Sequence, residues 1–598
     1  MTTRRSHALS VSLSAILACF VGACGSSTST SPHESPADAG GGFDASAATD
    51  SEGPGEDGSP GTGDSGQTPN PDGGPVVPTV SSWVGTNVDV DLPFADVTYL
   101  MTPFNTAAAQ LDANGYPVAG ASGTSSTDLG FELPTGTYDI SYVGAGKLTV
   151  SGIGSLVSPT WTTADGEQRN QVKITGTPGS FGNFLTLTVT NGASQTVTGI
   201  HLYLPGIAYD PASPFNPQFL SVLAPFRAMR FMGWQNTNNS TITDWTSAPM
   251  STQFGSSAAG HPYDLMAELI NETGKDGWIN VPEHATSAFI TSFATMMATK
   301  LDFTRIAKAR QAAGFTTPFQ LIVENSNETW NTGFTANATF LAAANMNTTR
   351  YTGTYTGTAG PTWMSGNANL MKVAQYEADR LVTIGQAFKT ALGAVGHADA
   401  AATVLSGWAL GAAYSDEGLS FLKANGMDPK TSITYVALAP YFSTADDTTT
   451  GALSTLFPAM AANITSNAAV FPDFAKLSTE YSVSIAAYEG GQGLTGTTNQ
   501  TIKHLAQFDA RMNSTYATYL AGWKQAFGPS LFMHFDLAGT PGLPENIYQY
   551  GFWGSVTGVS QDLSTCGKNL PTLTGTETIA SEMQYCPKYS ALAAHVPE

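Results

Sequence analysis

Charge is scarce in this chain, and basic charge scarcer still. Only 12% of the 598 residues are Asp, Glu, Lys or Arg; 24 Lys and Arg stand against 46 Asp and Glu, a net charge of -22. Between Arg5 and Lys147 there is no Lys or Arg at all. Such a surface repels nucleic acid and anionic membranes and favours neutral partners. Cysteine is equally sparse, at four residues, and no Cys or His clusters at ligand spacing, so no metal and no cofactor is expected. The chain has neither a Gly-x-Ser-x-Gly elbow nor a His-Glu-x-x-His motif, which argues against esterase and zinc-protease readings. Its apolar run from Ala8 to Val21 is too short to span a bilayer.

That run does, however, follow Arg4 and Arg5 and leads into Val21-Gly22-Ala23-Cys24. A positive start, a short apolar stretch and small residues before a cysteine make a signal peptide, one that resembles a bacterial lipobox with Cys24 as the acylated residue. Export follows either way. Acylation holds the protein at the cell envelope, surface-facing on the outer membrane, with the lipid its sole membrane contact; ordinary cleavage after Ala23 releases it. Residues 25–80 are mainly Gly, Ser, Thr, Asp, Ala and Pro with almost no large apolar residue, and carry acids from Glu34 to Asp72 with no Lys or Arg. They hold too little apolar surface to offset chain entropy and read as a disordered, self-repelling tether. With Cys19 and Cys24 in the processed region, Cys566 and Cys586 remain and are expected to pair, stabilising the last segment by on the order of 3 kcal/mol.

The remaining roughly 520 residues suffice for a large core. Trp83 to Val90 reads as a strand. From about Leu111 to Gly206, short alternating runs such as Tyr138 to Val143 and Phe184 to Val189, separated by Gly and Asn turns, predict an antiparallel β-sandwich-like module. After Pro214, seven apolar runs alternate with helix-length segments: Ala228 to Trp234, Gly277 to Pro282, Phe319 to Asn325, Thr403 to Trp408, Ile433 to Pro440, Val483 to Tyr488 and Leu531 to Leu537. With Trp83 to Val90 they make eight, which predicts an α/β fold, a (β/α)8 TIM barrel with the β module inserted after its first strand. The expected segments are a signal peptide (1–24), a tether (25–80), the first barrel strand and loop (81–100), the β module (101–210), the rest of the barrel (211–560) and a disulfide-closed C-terminal segment (561–598). A monomer is expected.

In such a barrel the loops after the strands form the active face. Polar residues at predicted strand ends are therefore the site candidates: Arg230, Trp234, Asn236 and Asn238, then Glu283 and His284, Asn327 and Glu328, Tyr441, Glu489, and His534. The fourth strand ends in Glu324-Asn325-Ser326-Asn327-Glu328-Thr329-Trp330-Asn331. An amide, a carboxyl and a ring together can bind a hydroxyl, donate a proton to a glycosidic oxygen and stack on a sugar. A second carboxylate stands at the end of the seventh strand, in Tyr488-Glu489-Gly490-Gly491. Glu324 reads as a barrel-interior carboxylate and Glu283 as a reserve acid. Trp234, Trp245, Trp278, Trp330, Trp408 and Trp553 lie near strand ends as stacking candidates, about half of them expected in the core.

Asn-Glu after the fourth strand with Glu after the seventh resembles the signature of the retaining glycoside hydrolases of clan A, which include cellulases, mannanases and xylanases. The Glu324 to Asn331 stretch is also similar to a form found in bacterial proteins often labelled cellulose-binding. The resemblance spans about Ser82 to Val556, interrupted by the β module. It implies that Glu328 is the acid/base, Glu489 the nucleophile of a covalent glycosyl-enzyme, and Asn327 a ligand of the sugar 2-hydroxyl, with counterparts for Arg230, His284 and Tyr441. The substrate implied is a β-linked polysaccharide or oligosaccharide. A non-catalytic, surface-held glycan-binding protein is the alternative. The sequence departs from the clan at the eighth strand, where Phe532-Met533-His534-Phe535 replaces the usual Trp and Trp553 is the substitute.

Overall fold

In the computed structural model the described residues run from 83 to 594, apart from 89–91, 128–132, 158–159, 176–183, 209–212, 239, 256–258, 361, 445–449 and 540–550. The expected signal peptide, Cys24 and the tether lie outside them. Strand β1 (Val84–Asn87) comes first. Eight antiparallel strands follow in two sheets: β2 (Ser122–Ser126), β3 (Gly136–Val143), β4 (Lys147–Gly152), β5 (Gly154–Leu156), β6 (Trp161–Thr162), β7 (Glu167–Ile174), β8 (Leu185–Thr190) and β9 (Thr198–Tyr203). One sheet has the order β2-β8-β4; the other runs β5-β7-β3-β9, with β6 also on β7. Their residues alternate between buried and exposed, as Leu185, Leu187 and Val189 show in β8, the pattern of a sheet with one face in a core.

The seven strands that follow are β10 (Ala228–Arg230), β11 (Asp276–Val281), β12 (Leu321–Asn325), β13 (Ala401–Ser406), β14 (Tyr435–Leu438), β15 (Ser484–Ala487) and β16 (Phe532–His534). With β1 they close an eight-stranded parallel barrel in the order β1-β10-β11-β12-β13-β14-β15-β16, sealed by Val84 opposite Phe532. The sequence-based expectation of a TIM barrel agrees with this closure. Both faces of such strands are covered, so β11 and β12 are buried throughout, apolar in the middle with Asp276, Asn280, Glu324 and Asn325 as buried polar exceptions.

Side-chain alternation sorts these strands into layers. Ala228, Trp278, Ile322, Val404, Ala437, Ala486 and Met533 form one interior cluster, separate from the apolar contacts that hold the helices. Small residues on several strands leave room for the Trp278 ring. Gly85 belongs here as well: a Cβ at this position would lie 2.4 Å from the Met533 sulfur. Two residues further along their strands come Arg230, Asn280, Glu324 and Ser406, all buried and polar. The barrel thus changes from apolar to polar toward the strand ends.

Among the described residues no helix is long and apolar enough to cross a membrane, and no group of three or more His, Cys, Asp or Glu is placed to hold a metal ion. Cys566 and Cys586 are joined, with Cα atoms 4.9 Å apart.

Candidate active site

Arg230 organises the polar layer. Its guanidinium is fully buried, and each of its five N–H groups has an acceptor. Nε and one Nη2 proton donate to Glu324 Oε2 (3.0 and 2.8 Å). The other Nη2 proton donates to Asn327 Oδ1 (2.7 Å), and Nη1 donates to Asn87 Oδ1 (3.1 Å) and Glu489 Oε1 (2.7 Å). The rings of Trp278 and Tyr488 lie 5.7 and 5.2 Å from its central carbon. A planar fork with five donors can meet this set; an ammonium with three cannot.

Glu324 is held as completely. Besides Arg230 it accepts from Trp278 Nε1 (2.8 Å), Asn280 Nδ2 (2.8 Å) and Ser406 Oγ (2.7 Å). It is an interior support for Arg230, as its place in the strand implied.

Glu489 follows β15, and its second oxygen accepts from Tyr441 (3.0 Å). Glu328 lies beyond β12 in a turn where Ser326 and Glu328 both take positive φ (63° and 42°). Left-handed backbone at two non-glycine residues is costly and clusters at functional sites. The turn is closed by Asn331 N–H to Glu328 O (2.8 Å). Tyr488 donates to Glu328 Oε1 (3.2 Å) and Asn331 Nδ2 to Oε2 (2.9 Å). Asn327 turns its amide to Asn238 Oδ1 (2.9 Å).

The two carboxyls differ in electrostatics. Burial, followed by the charge of Glu489, raises Glu328 to about 8, against the hydrogen bonds from Asn331 and Tyr488 and the field of Arg230. Burial also raises Glu489, but there Arg230 and Tyr441 oppose it by direct hydrogen bonds. Glu489 therefore ionises first, and its charge keeps the proton on Glu328. Burial and the nearby carboxylates raise Tyr441 and Tyr488 well above the usual phenol range, so both remain donors.

No protein-family model and no curated protein matches this chain. Among solved structures, similar ones include a CBM22-1-GH10 endo-1,4-β-D-xylanase from Clostridium thermocellum complexed with xylohexaose, at 11% identity over 87% of this chain and 97% of that one, TM-score 0.32. Another is the GH51 arabinofuranosidase of Xanthomonas axonopodis pv. citri, at 12% over 55% and 61%, TM-score 0.30. A third is a modular endo-β-1,4-mannanase of family 26 from Cellulomonas fimi, at 12% over 59% and 65%, TM-score 0.25. These neighbours are glycoside hydrolases, but likenesses this weak leave the barrel to stand on its own strand pairing.

Around the carboxyls, Trp330 stacks on Trp408 (5.2 Å between centroids, 8° between planes) and donates to the Tyr488 hydroxyl (3.2 Å). Across the site Trp553 packs against Tyr441 (5.4 Å) in a small cluster with Met232 and Phe535. The C-terminal segment reaches this cluster: Lys588 Nζ donates to Phe552 O (2.6 Å) and Trp553 O (3.3 Å).

Four expected substrate contacts are placed elsewhere. Trp234 is buried among Phe94, Phe231 and His261 and donates to Pro262 O, so it is a core ring and not a stacking surface. His534 is corrected by strand alternation: Met533 faces the barrel interior, so His534 faces outward against Tyr516 of the helix Ala510–Phe527. It is wholly buried, and burial and then the charge of Lys588 lower it to about 3, a neutral packing residue. His284 is half-exposed and meets Glu283 (3.2 Å), not the two site carboxyls. Asn236 is exposed in the turn after β10, while its neighbour Asn238 reaches Asn327.

Residues that sequence reasoning missed are Asn87, Tyr488, Asn331, Asn280 and Ser406. Asn87, an amide after Thr86 at the end of the short buried strand β1, carried a usable signal. Tyr488 did not, because an aromatic before Glu489 reads as core. Behind the site Thr329 and Tyr414 donate to Glu377 Oε2 (2.6 and 2.5 Å), and burial raises Glu377 to about 8.

Proposed function

We propose that this protein is a retaining glycoside hydrolase acting on a β-linked polysaccharide in endo fashion, with Glu328 as acid/base and Glu489 as nucleophile. One observation carries the reading. Two buried carboxyls stand at the ends of barrel strands four and seven; each accepts from a tyrosine, but only Glu489 has a hydrogen bond from a guanidinium. Environments that push two acids apart define an acid and a nucleophile.

In the first step the Glu489 carboxylate attacks the anomeric carbon while the leaving oxygen takes the Glu328 proton. Transfer neutralises Glu489, so Glu328 loses the neighbouring charge that, after burial, held it up, and accepts a proton from water. That water then attacks the anomeric carbon and frees Glu489. Asn327, whose amide is fixed by Arg230 and Asn238, is assigned to the sugar 2-hydroxyl. Trp330 with Trp408 on one side and Trp553 on the other supply apolar surface for sugar faces. Export through the N-terminal signal, anchoring at Cys24, a sandwich-like accessory module and a monomeric state complete the reading.

The test is release of reducing sugar from β-glucans, mannans, xylans and galactans by the wild type, Glu328→Gln and Glu489→Gln. Activity on one substrate that falls by several orders of magnitude in both variants supports the assignment. A wild type that is retained on polysaccharide yet cleaves none moves the reading to a glycan-binding protein, the alternative that the missing Trp on the eighth strand favours.

A further inference from the structure

The outer face of the larger antiparallel sheet carries an unexplained row of side chains. Trp161 on β6 is opposite Arg169 on β7, Arg169 is opposite Ser141 on β3, and Ser141 is opposite His201 on β9. Directly paired residues share a face, so these four lie in one line across the sheet, with Ser141 in the middle buried between more exposed neighbours. The alternate residues Asn170, Val172, Tyr138 and Ile140 are buried beneath. Three strand spacings separate the ends, roughly 14 Å.

Both ends are aromatic. Trp161 is 47% exposed, unusual for the largest side chain in a folded protein, and Val157 beside it is 52% exposed. At the other end the partly exposed His201 ring lies nearly parallel to the buried Tyr203 ring (5.9 Å, 10°). A buried Asp96 carboxylate holds the His201 ring through Nδ1 (2.7 Å). These rings wall a cavity of about 250 Å³, whose far side is formed by Asp264 and Glu268 of the helix Tyr263–Thr273 and by Lys300. In the neighbouring row Gln171 donates to Asp139 (3.2 Å).

We propose that this row is a binding site for a neutral polysaccharide chain, lying across the sheet from Trp161 into the His201–Tyr203 cavity. Charge disfavours an anionic occupant: on the sheet Glu167 and Asp139 are matched by Arg169 and Lys173, while the cavity adds Asp96, Asp264 and Glu268 against Lys300, in a chain of net charge -22. Composition argues against a protein partner, because the exposed apolar surface along the row is confined to Trp161 and Val157 at one end and hydrogen-bonding side chains fill the rest. Planar amides, carboxylates and a guanidinium between two ring platforms suit a chain of hydroxylated rings. Naming that chain a glycan rests on the barrel reading; the surface itself does not.

The test uses the full chain. Wild type, Trp161→Ala, Trp161→Phe and His201→Ala are run through gels containing soluble β-glucan, mannan, xylan or galactan, and turnover of a short oligosaccharide is measured in parallel. The expected result is retardation of the wild type by one polymer, weakened roughly tenfold in Trp161→Ala and largely restored in Trp161→Phe, with oligosaccharide turnover unchanged. Equal retardation of all four proteins, or none of the wild type by any polymer, overturns the proposal. So does sedimentation showing that Trp161→Ala abolishes self-association while leaving retardation unchanged, which makes the face a contact between copies. Loss of retardation in Trp161→Ala from a wild type that hydrolyses nothing leaves this site standing and removes the barrel reading.

Discussion

Arg230 Nη1 lies 2.7 Å from Glu489 Oε1, and neither group has solvent to fall back on. The same guanidinium fastens Glu324 and Asn327, so one side chain ties strands β10, β12 and β15 together at their site ends. Its replacement is therefore expected to act on stability and chemistry together.

Arg230→Lys keeps the charge but loses at least two of five hydrogen bonds and both ring contacts. Unfolding in urea should show a loss of about 3 kcal/mol, the scale of breaking a buried ion pair. Sugar release should fall at least a hundredfold. A variant with wild-type stability would mean that Arg230 is not the tie described.

Tyr488→Phe removes a hydrogen bond that lowers Glu328. The Glu328 proton is then held more tightly, so the alkaline limb of the kcat/KM profile should move to higher pH. Tyr441→Phe should act on the acid limb instead, since losing its bond to Glu489 makes that carboxyl harder to ionise. Identical displacements in both variants would contradict the separate roles.

Glu328 and Glu377 are both raised from an ordinary 4.5 to about 8 by burial. The folded state binds their protons more tightly than the unfolded one. Their contribution to stability is thus complete below about pH 4.5 and is lost as pH rises toward 8, at a slope on the order of 1 kcal/mol per pH unit for each group. Thermal melts at pH 5 and pH 8 should show a fall in Tm that is smaller in Glu328→Gln and in Glu377→Gln. A fall of equal size in all three proteins would rule out these two groups as its source.

The Trp330–Trp408 stack stands beside Glu328 and lends it the Tyr488 contact. Trp408→Ala should raise KM on oligosaccharide about tenfold, as lost ring stacking does, with a smaller change in kcat. A fall in kcat alone would assign Trp408 to positioning Trp330 and not to the sugar.

Reduction of Cys566–Cys586, or Cys566→Ser, should cost about 3 kcal/mol, the scale for a short closed loop. Because Lys588 of the same segment holds the Phe552 and Trp553 carbonyls, KM should rise as well. Unchanged KM after reduction would separate the segment from the site.

The barrel was legible in the sequence because parallel strands covered on both faces must be apolar runs, and each run alternates with a helix-length segment. Glu328 and Glu489 stood out as candidates because a carboxyl at the end of such a run has no packing reason to be there. Direction was harder. Met533 and His534 are neighbours, and only strand pairing decides that the first faces the interior and the second the helices. Trp234 and Trp330 look equivalent as rings near strand ends, yet one is enclosed by Phe94 and His261 and the other stands beside Glu328 through Tyr488. Sequence determines which side chains can carry charge, stack or pack, since those are properties of a residue. Which of them meet is decided by tertiary structure, because Asn87, Arg230, Glu324, Asn327 and Glu489 are brought together only when the barrel closes.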